Sequence, residues 1–405
     1  MARRPKSPSS DLPDLMPAAR VLRRVLAAMQ TGHAAAPLLL DACQSGDRLF
    51  ACFGSGTAPN AFRPDGAEGC ALPLELRSVS GAMLVQARVS GTGAQKLALT
   101  AGGSLDLTPA PAETALFAGL NTIFGFRFCE TADQLAEGLR YHARHHGLQA
   151  ALFVNRAAGG TDPAFAARLE HLLEGTGLTV VLLDSPLPLG KPDMGPETHP
   201  FLAPDAPGKD RMTQPEPDPW LSPLGEGMIY EAVKWRFLAE ARAVLTLEAC
   251  DILAPREAGA PHAFDLCANA PSGVLLLVGH RIYPWRIRAD QAEHFGDHIC
   301  RQFDHRRGMA RWGVAPQKAG LENTWRMVRV AYAKPDEASV VHFFRAMALR
   351  VPGRNSGELA PKSSLIEDAA LLRLSGDMFN HRPVRPPVSK PKAQPGPALA
   401  AGRTA

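Results

Sequence analysis

The residues best suited to chemistry are two carboxylates, Glu248 and Asp251, three apart with apolar Ala249 and Ile252 between and beside them. On a turn after a strand, this spacing would direct both toward one Mn or Mg ion, hard cations that carboxylate oxygens hold. Such an ion could neutralise a leaving diphosphate, while a nearby carboxylate, for which Asp251 is the candidate catalytic base, takes the proton of an attacking hydroxyl. Two more polar pairs follow apolar runs, Cys129-Glu130 and Asn155-Arg156. Ligands of open α/β sheets bind beyond the carboxyl ends of strands, so all three places are read together. The densest basic and aromatic region holds Arg281, Arg286, Arg288, Arg301, Arg306, Arg307 and Arg311, with Trp285 and Trp312 interleaved. These arginines could bind a diphosphate or form a solvated face.

The elements that must position these groups begin at residue 121, where strands alternate with helices as in a mostly parallel sheet covered on both faces. Asn121 to Phe128 reads as the first strand, and Thr131-Ala-Asp-Gln134 as a capping box opening a helix that Gly147 stops. Ala150–Val154 is the second strand, Asp162-Pro163 caps and starts a further helix, and Thr179–Leu183 is the third strand. Eleven prolines in the forty residues from Asp184 to Pro223 forbid regular structure and mark a long excursion, either a cover for a cleft or an insertion without chemistry. A helix is expected at about 228 to 242, then the strand Ala243–Leu247 and a very apolar strand, Val274–Val278. Tyr230, on the face of Val233, is a core residue or a substrate stacker; His142, His145 and His146 read as a cationic last turn favoured by the helix dipole rather than as metal ligands.

Upstream, after a helix-like stretch near 18 to 29, short apolar runs separated by glycine turns between 48 and 108 predict a small β-rich domain. The expected organisation is a disordered N-terminus over 1–17, the β-rich domain with its leading helix over 18–112, the α/β domain over 113–378 and a disordered, basic, proline-rich tail over 379–405.

In order and spacing over about 130 residues, the central region resembles glycosyltransferases of the family-2 and family-92 type, which have a GT-A fold and occur in bacteria. The resemblance runs through Cys129-Glu130, Leu139-Arg-Tyr-His-Ala-Arg-His-His-Gly147, Phe153-Val-Asn-Arg156, Tyr230-Glu-Ala-Val233 and Leu247-Glu-Ala-Cys-Asp-Ile-Leu253, with a weaker echo in Ala310–Pro316. It implies a GT-A-like, mostly parallel α/β sheet sandwiched by helices, a nucleotide-sugar donor, and a glycan or lipid-linked acceptor as in polysaccharide biosynthesis. Glu130, Asn155, Arg156 and Glu248 would then hold the donor, and Glu248 and Asp251 the metal. The sequence departs from the family where Asn155 replaces an Asp that contacts the nucleoside and where Cys250 replaces the second acid of Asp-x-Asp. A soft thiol there weakens a Mg or Mn site. Two readings follow: a transferase with an altered site, in which Glu248 and Asp251 hold a cation or arginines replace it, or a degenerate module that only binds a partner or glycan.

Composition narrows the remainder. Of 405 residues 45% are hydrophobic and 21% charged, the balance of a globular chain, and a net charge of +4 calls for no nucleic-acid partner. Seven cysteines without a CxxC pair suggest reduced thiols. No run reaches 18 apolar residues and no h-region follows the N-terminus, so the expectation is a cytoplasmic protein, with peripheral membrane contact open to the basic tail. Neither a dinucleotide fingerprint, a P-loop nor a nucleophile elbow is present.

Overall fold

The computed structural model describes residues 18–64, 73–79, 81–203, 206–257, 259–303, 309–354 and 356–387. The N-terminal stretch 1–17, the end of the tail from 388, and Arg306 and Arg307 lie outside them.

The architecture is α/β, built on a nine-stranded sheet. Its strands run in the order Arg20–Val25, Thr179–Asp184, Ala150–Asn155, Asn121–Arg127, Ala243–Thr246, Ala310–Val314, Val274–Ile282, Asp336–Ala346 and Asp251–Leu253. The first five are parallel; Ala310–Val314 runs against both its neighbours, and Asp336–Ala346 is again parallel to Val274–Ile282. This is the mostly parallel sheet sandwiched by helices that the sequence predicts.

Alternation explains why the parallel strands read as continuous apolar runs: both faces are covered, so both sets of side chains are buried. Ile123, Phe153, Val180, Leu182 and Leu245 meet Leu135 and Leu139 of the helix Ala132–His146, Leu169 of Pro163–Leu172, and Phe264 of Ala263–Asn269. Phe124, Leu152, Val181 and Val244 meet Ile229, Val233 and Phe237 on the opposite face. Each such fully buried side chain contributes roughly 1.5–3 kcal/mol.

The capping box forms: the Thr131 side chain accepts from the Gln134 N–H, the Gln134 side chain accepts from the Thr131 N–H, and Gly147 closes the helix at φ 70°. The single helix expected at 228–242 is instead Ile229–Val233 continued by a wider π-type turn, Lys234–Leu238. The change of pitch comes where Lys234, fully buried, reaches Glu231 at 2.7 Å and the carbonyls of Leu321 and Asn323.

The leading helix expected near 18 to 29 is a correction. Arg20–Val25 is a strand, pairing parallel with Thr179–Asp184 at the edge of the large sheet, and Met29–His33 starts a second sheet. In Arg20-Val-Leu-Arg-Arg-Val25, Arg20 and Arg23 are exposed along an edge, where charge discourages further pairing, while Arg24 pairs with Glu113 at 2.7 Å. The second sheet has the strand order Met29–His33, Ala36–Ser45, Arg48–Phe53, Ala82–Arg88, Leu74–Val79. It packs on the outer side of the 229–238 segment, where Phe50 stacks on Trp235 at 4.1 Å and Asp41 pairs with Arg236 at 3.2 Å. At the other end, the stretch expected to be disordered from 379 is held against the body as far as 387, through His381 with Asp297 at 2.7 Å and Arg385 with Glu367 at 2.6 Å.

Candidate anion-binding site

A cleft of about 330 Å³ opens beyond the carboxyl ends of the parallel strands. Phe126 and Phe128 enter from the end of Asn121–Arg127, Arg156 follows Ala150–Asn155, and Glu248 follows Ala243–Thr246. Close backbone approach positions Glu248: Leu247 and Glu248 cross directly over Gly125, where an added Cβ would lie 1.9 Å from the Leu247 carbonyl oxygen. The antiparallel half contributes Arg281, Arg311 and Arg345, and the short helix Met347–Arg350 contributes Met347 and Arg350. The proline-rich excursion supplies Lys191, Glu197, Leu202, Ala203 and Pro223, so it does form a wall of the cleft.

Six basic side chains thus line the cleft against two carboxylates, Glu197 and Glu248. Glu248 accepts from Arg311 at 3.0 Å, and its carboxylate pairs with Arg345 at 3.1 Å and, more closely, with Arg350. Burial alone would raise the Glu248 carboxyl, but the guanidiniums of Arg345, Arg350 and Arg311 hold it well below the usual range. Glu197 pairs with Arg350 from the other side and keeps 31% of its side chain exposed, against 9% for Glu248. Arg156 differs. It is 2% exposed, donates to the Ser222 carbonyl at 2.8 Å, and has no carboxylate within ion-pairing distance among the described residues. Its Cζ lies 5.3 Å from the centroid of the Phe128 ring, and burial, with Arg350 adding repulsion and Glu197 only partly offsetting it, pushes its pKa down to about 10. A desolvated guanidinium with so little compensation is a strong attractor for an incoming anion.

The proposed cation pair fails on its donor set. Asp251 does not line the cleft; both its oxygens take Arg345 at 2.7 Å, and one also accepts the Glu248 N–H at 3.0 Å. With Glu248 held by three arginines and Asp251 by one, neither carboxylate has oxygens free for Mn or Mg. No group of three His, Cys, Asp or Glu able to hold a metal occurs among the described residues. Asp251 is likewise too enclosed, at 2% exposure, to act as a base. Cys250 is fully buried among Ile252, Phe344 and Tyr141, with its thiol pushed up by burial, so its side chain faces the core and not the cleft.

Glu130 is also absent from the cleft lining. It folds back to accept the Phe128 N–H at 2.8 Å, and burial pushes its carboxyl up. Asn155 bridges instead: it accepts from Arg127 at 3.0 Å and donates to Asp184 at 3.1 Å. Asp184 lines a neighbouring cleft of about 290 Å³ with Gly160, Ser185 and Trp220. Tyr230 is 3% exposed and lines the arginine cleft while packing edge-on to Phe124, so it serves both as core and as floor. The histidines of the long helix are not a cationic turn. Burial pushes His142 down to about 4 and His146 to about 2, and His142 accepts the Leu253 N–H at 3.1 Å.

Sequence spacing points to Arg156, Glu248, Arg281 and Arg311 but misses Arg345, Arg350, Lys191 and Glu197. Arg345 and Arg350 belong to a strand and helix close to the end of the chain, without a local pattern to single them out. Glu197 is hidden among prolines.

No protein-family model matches this chain, and no curated protein matches it. Among solved structures, the X-ray structure of the mannosyltransferase Ktr4p from S. cerevisiae in complex with GDP is similar over 41% of this chain and 41% of that chain, at 11% identity and a TM-score of 0.25. A likeness this slight bears on neither substrate nor reaction.

Proposed function

We propose that this chain is a glycosyltransferase-like protein that holds the diphosphate of a nucleotide sugar on arginines instead of on a divalent cation. The observation that carries the reading is the cleft beyond the strand ends with five guanidiniums and Lys191, one of them, Arg156, without a carboxylate partner among the described residues. Guanidiniums bind phosphate oxygens in forks and stay charged, so they can neutralise a leaving diphosphate without a metal. A second cleft, lined by Asp184 and Trp220, offers a ring and a carboxylate for the nucleoside.

In transfer, the acceptor oxygen forms a bond to the anomeric carbon as the bond from that carbon to the diphosphate oxygen breaks. The nucleoside diphosphate leaves with the electron pair, stabilised by Arg156, Arg311 and Arg350, and the acceptor proton passes to a carboxylate. Glu197 suits that step better than Glu248 because more of it reaches the cleft and one arginine engages it rather than three. A second reading, binding without transfer, is favoured by the complete engagement of Glu248 and Asp251 with arginines.

The test is to incubate the protein with UDP-, GDP- and CDP-sugars in EDTA and to measure nucleoside diphosphate released. Slow release from one donor, abolished by Glu197→Gln while nucleotide binding persists, supports transfer. Binding with no release from any donor supports the second reading, and no binding sinks both.

A further inference from the structure

We infer that the hairpin at the rim of the cleft inserts its tip into an anionic lipid surface. The hairpin is closed by the bridge between Trp325 and Val330 and by the Arg326 N–H donating to the Arg329 carbonyl at 3.0 Å, leaving Met327 and Val328 as its two tip residues. Tight turns favour Gly, Asn, Asp and Pro, so an apolar pair in this place is not chosen for the turn. Met327 is 43% and Val328 51% exposed, and Arg326 and Arg329 bracket them.

The legs are held firmly. Trp325 is 1% exposed, its N–H donates to Glu231 at 2.7 Å, and its ring meets Trp312 edge-on at 5.2 Å. The Trp312 indole N–H in turn donates to the Arg326 carbonyl at 2.7 Å. The tip is therefore presented outward on a rigid base. Two residues beyond the hairpin, Tyr332 stands 91% exposed with φ 62°, a left-handed conformation that a residue with a bulky side chain adopts at a cost.

Charge selects the occupant. Arg329 is exposed beside the apolar tip, and Met327 itself lines the cleft whose other side chains include Lys191, Arg281 and Arg311. Apolar side chains for the acyl boundary, a tyrosine for the headgroup level and basic residues around them fit an anionic bilayer surface. A cleft facing that surface would take a ligand or acceptor carried on lipid. The basic segment near Lys390 and Lys392 lies outside the described residues.

The experiment is flotation of the full-length protein with vesicles of phosphatidylcholine alone and of phosphatidylcholine with about one-third phosphatidylglycerol. The wild type is expected to float with the anionic vesicles and not with the neutral ones. Val328→Asp combined with Tyr332→Asn should lower the partition coefficient at least about tenfold, and Arg329→Gln alone about fivefold, each with an unchanged thermal midpoint. A wild type that stays with the aqueous fraction overturns the inference. So do variants that float as well as the wild type, an outcome that would move binding to the terminal basic segment, and tip-dependent self-association in sedimentation without vesicle binding.

Discussion

Replacing Arg156 with Met removes a buried cleft guanidinium that pairs with no carboxylate among the described residues, and so separates ligand binding from folding more cleanly than replacing Arg311, Arg345 or Arg350 would. Arg156 donates to the Ser222 carbonyl and faces Phe128 at 5.3 Å and Phe126 at 5.8 Å. A charge-assisted hydrogen bond to a phosphate oxygen contributes roughly 1.5–3 kcal/mol, so the variant should bind inorganic pyrophosphate or a nucleoside diphosphate about 10- to 150-fold more weakly. Folding should respond differently. The Ser222 carbonyl loses a donor, worth about 1 kcal/mol, but removing a desolvated cation without an ion-pair partner offsets that loss and Met retains contact with the phenylalanine rings. Net stability should therefore stay within about 1 kcal/mol of wild type. Titration calorimetry in EDTA, paired with urea unfolding, reads both quantities. Unchanged affinity with intact folding would refute the assignment of Arg156 to the anion, and a stability loss above about 3 kcal/mol would mean that its role is structural.

Arg345→Met should behave in the opposite way, costing about 3–5 kcal/mol in urea unfolding because Asp251, buried with both oxygens on Arg345, is left uncompensated. Cys250→Asp should lower the thermal midpoint and give no gain in Mn binding, since the side chain enters an apolar cluster; a Mn-dependent stabilisation of this variant would restore the metal account. Gly125→Ala places a methyl group against the Leu247 carbonyl and should cost about 1–3 kcal/mol or more while shifting Glu248, measured as unfolding free energy together with pyrophosphate affinity. Stability should also fall on mild acidification. His142 and His298 are each pushed by burial from 6.5 down to about 4, with Nε2 accepting the N–H of Leu253 and of Ala348 respectively. Because the unfolded chain takes up these protons first, the stability present above pH 6.5 is lost progressively as pH drops toward 4. The lowered Glu248 pKa adds its own loss below its unfolded value of 4.5. An unfolding free energy that stays flat between pH 7 and 5 would contradict the histidine assignment.

Most of the sheet is readable from local signals. Apolar runs bounded by Gly147 and Asp162-Pro163 and the capping box at Thr131 mark Asn121–Arg127, Ala150–Asn155 and Thr179–Asp184 because each signal acts within a few residues. Arg20–Val25 is misread as a helix because its partner, Thr179–Asp184, lies about 160 residues away and pairing overrides propensity. The site divides along the same line. Strand-end logic finds Arg156 and Glu248, but two acids three apart look the same whether they face a cation or a guanidinium. Only the return of Arg345 and Arg350 from a distant strand and helix decides it, and that return also hides Asp251 from the cleft. Histidine charge is misjudged for a related reason, since helix position signals a favourable dipole while the packing of Tyr141 and Leu253 around His142 and His146 keeps them neutral.

The central claim, that arginines and not a metal ion hold a diphosphate in this cleft, is tested most directly by thermal unfolding of the wild-type protein with UDP, GDP and CDP, in EDTA and in Mn. A ligand that binds only the folded protein at a hundred times its Kd adds about 2.7 kcal/mol of stability and must raise the midpoint. One nucleotide should raise it in EDTA, with Mn adding nothing further. A rise that requires Mn, or none with any of the three at millimolar concentration, would contradict the claim.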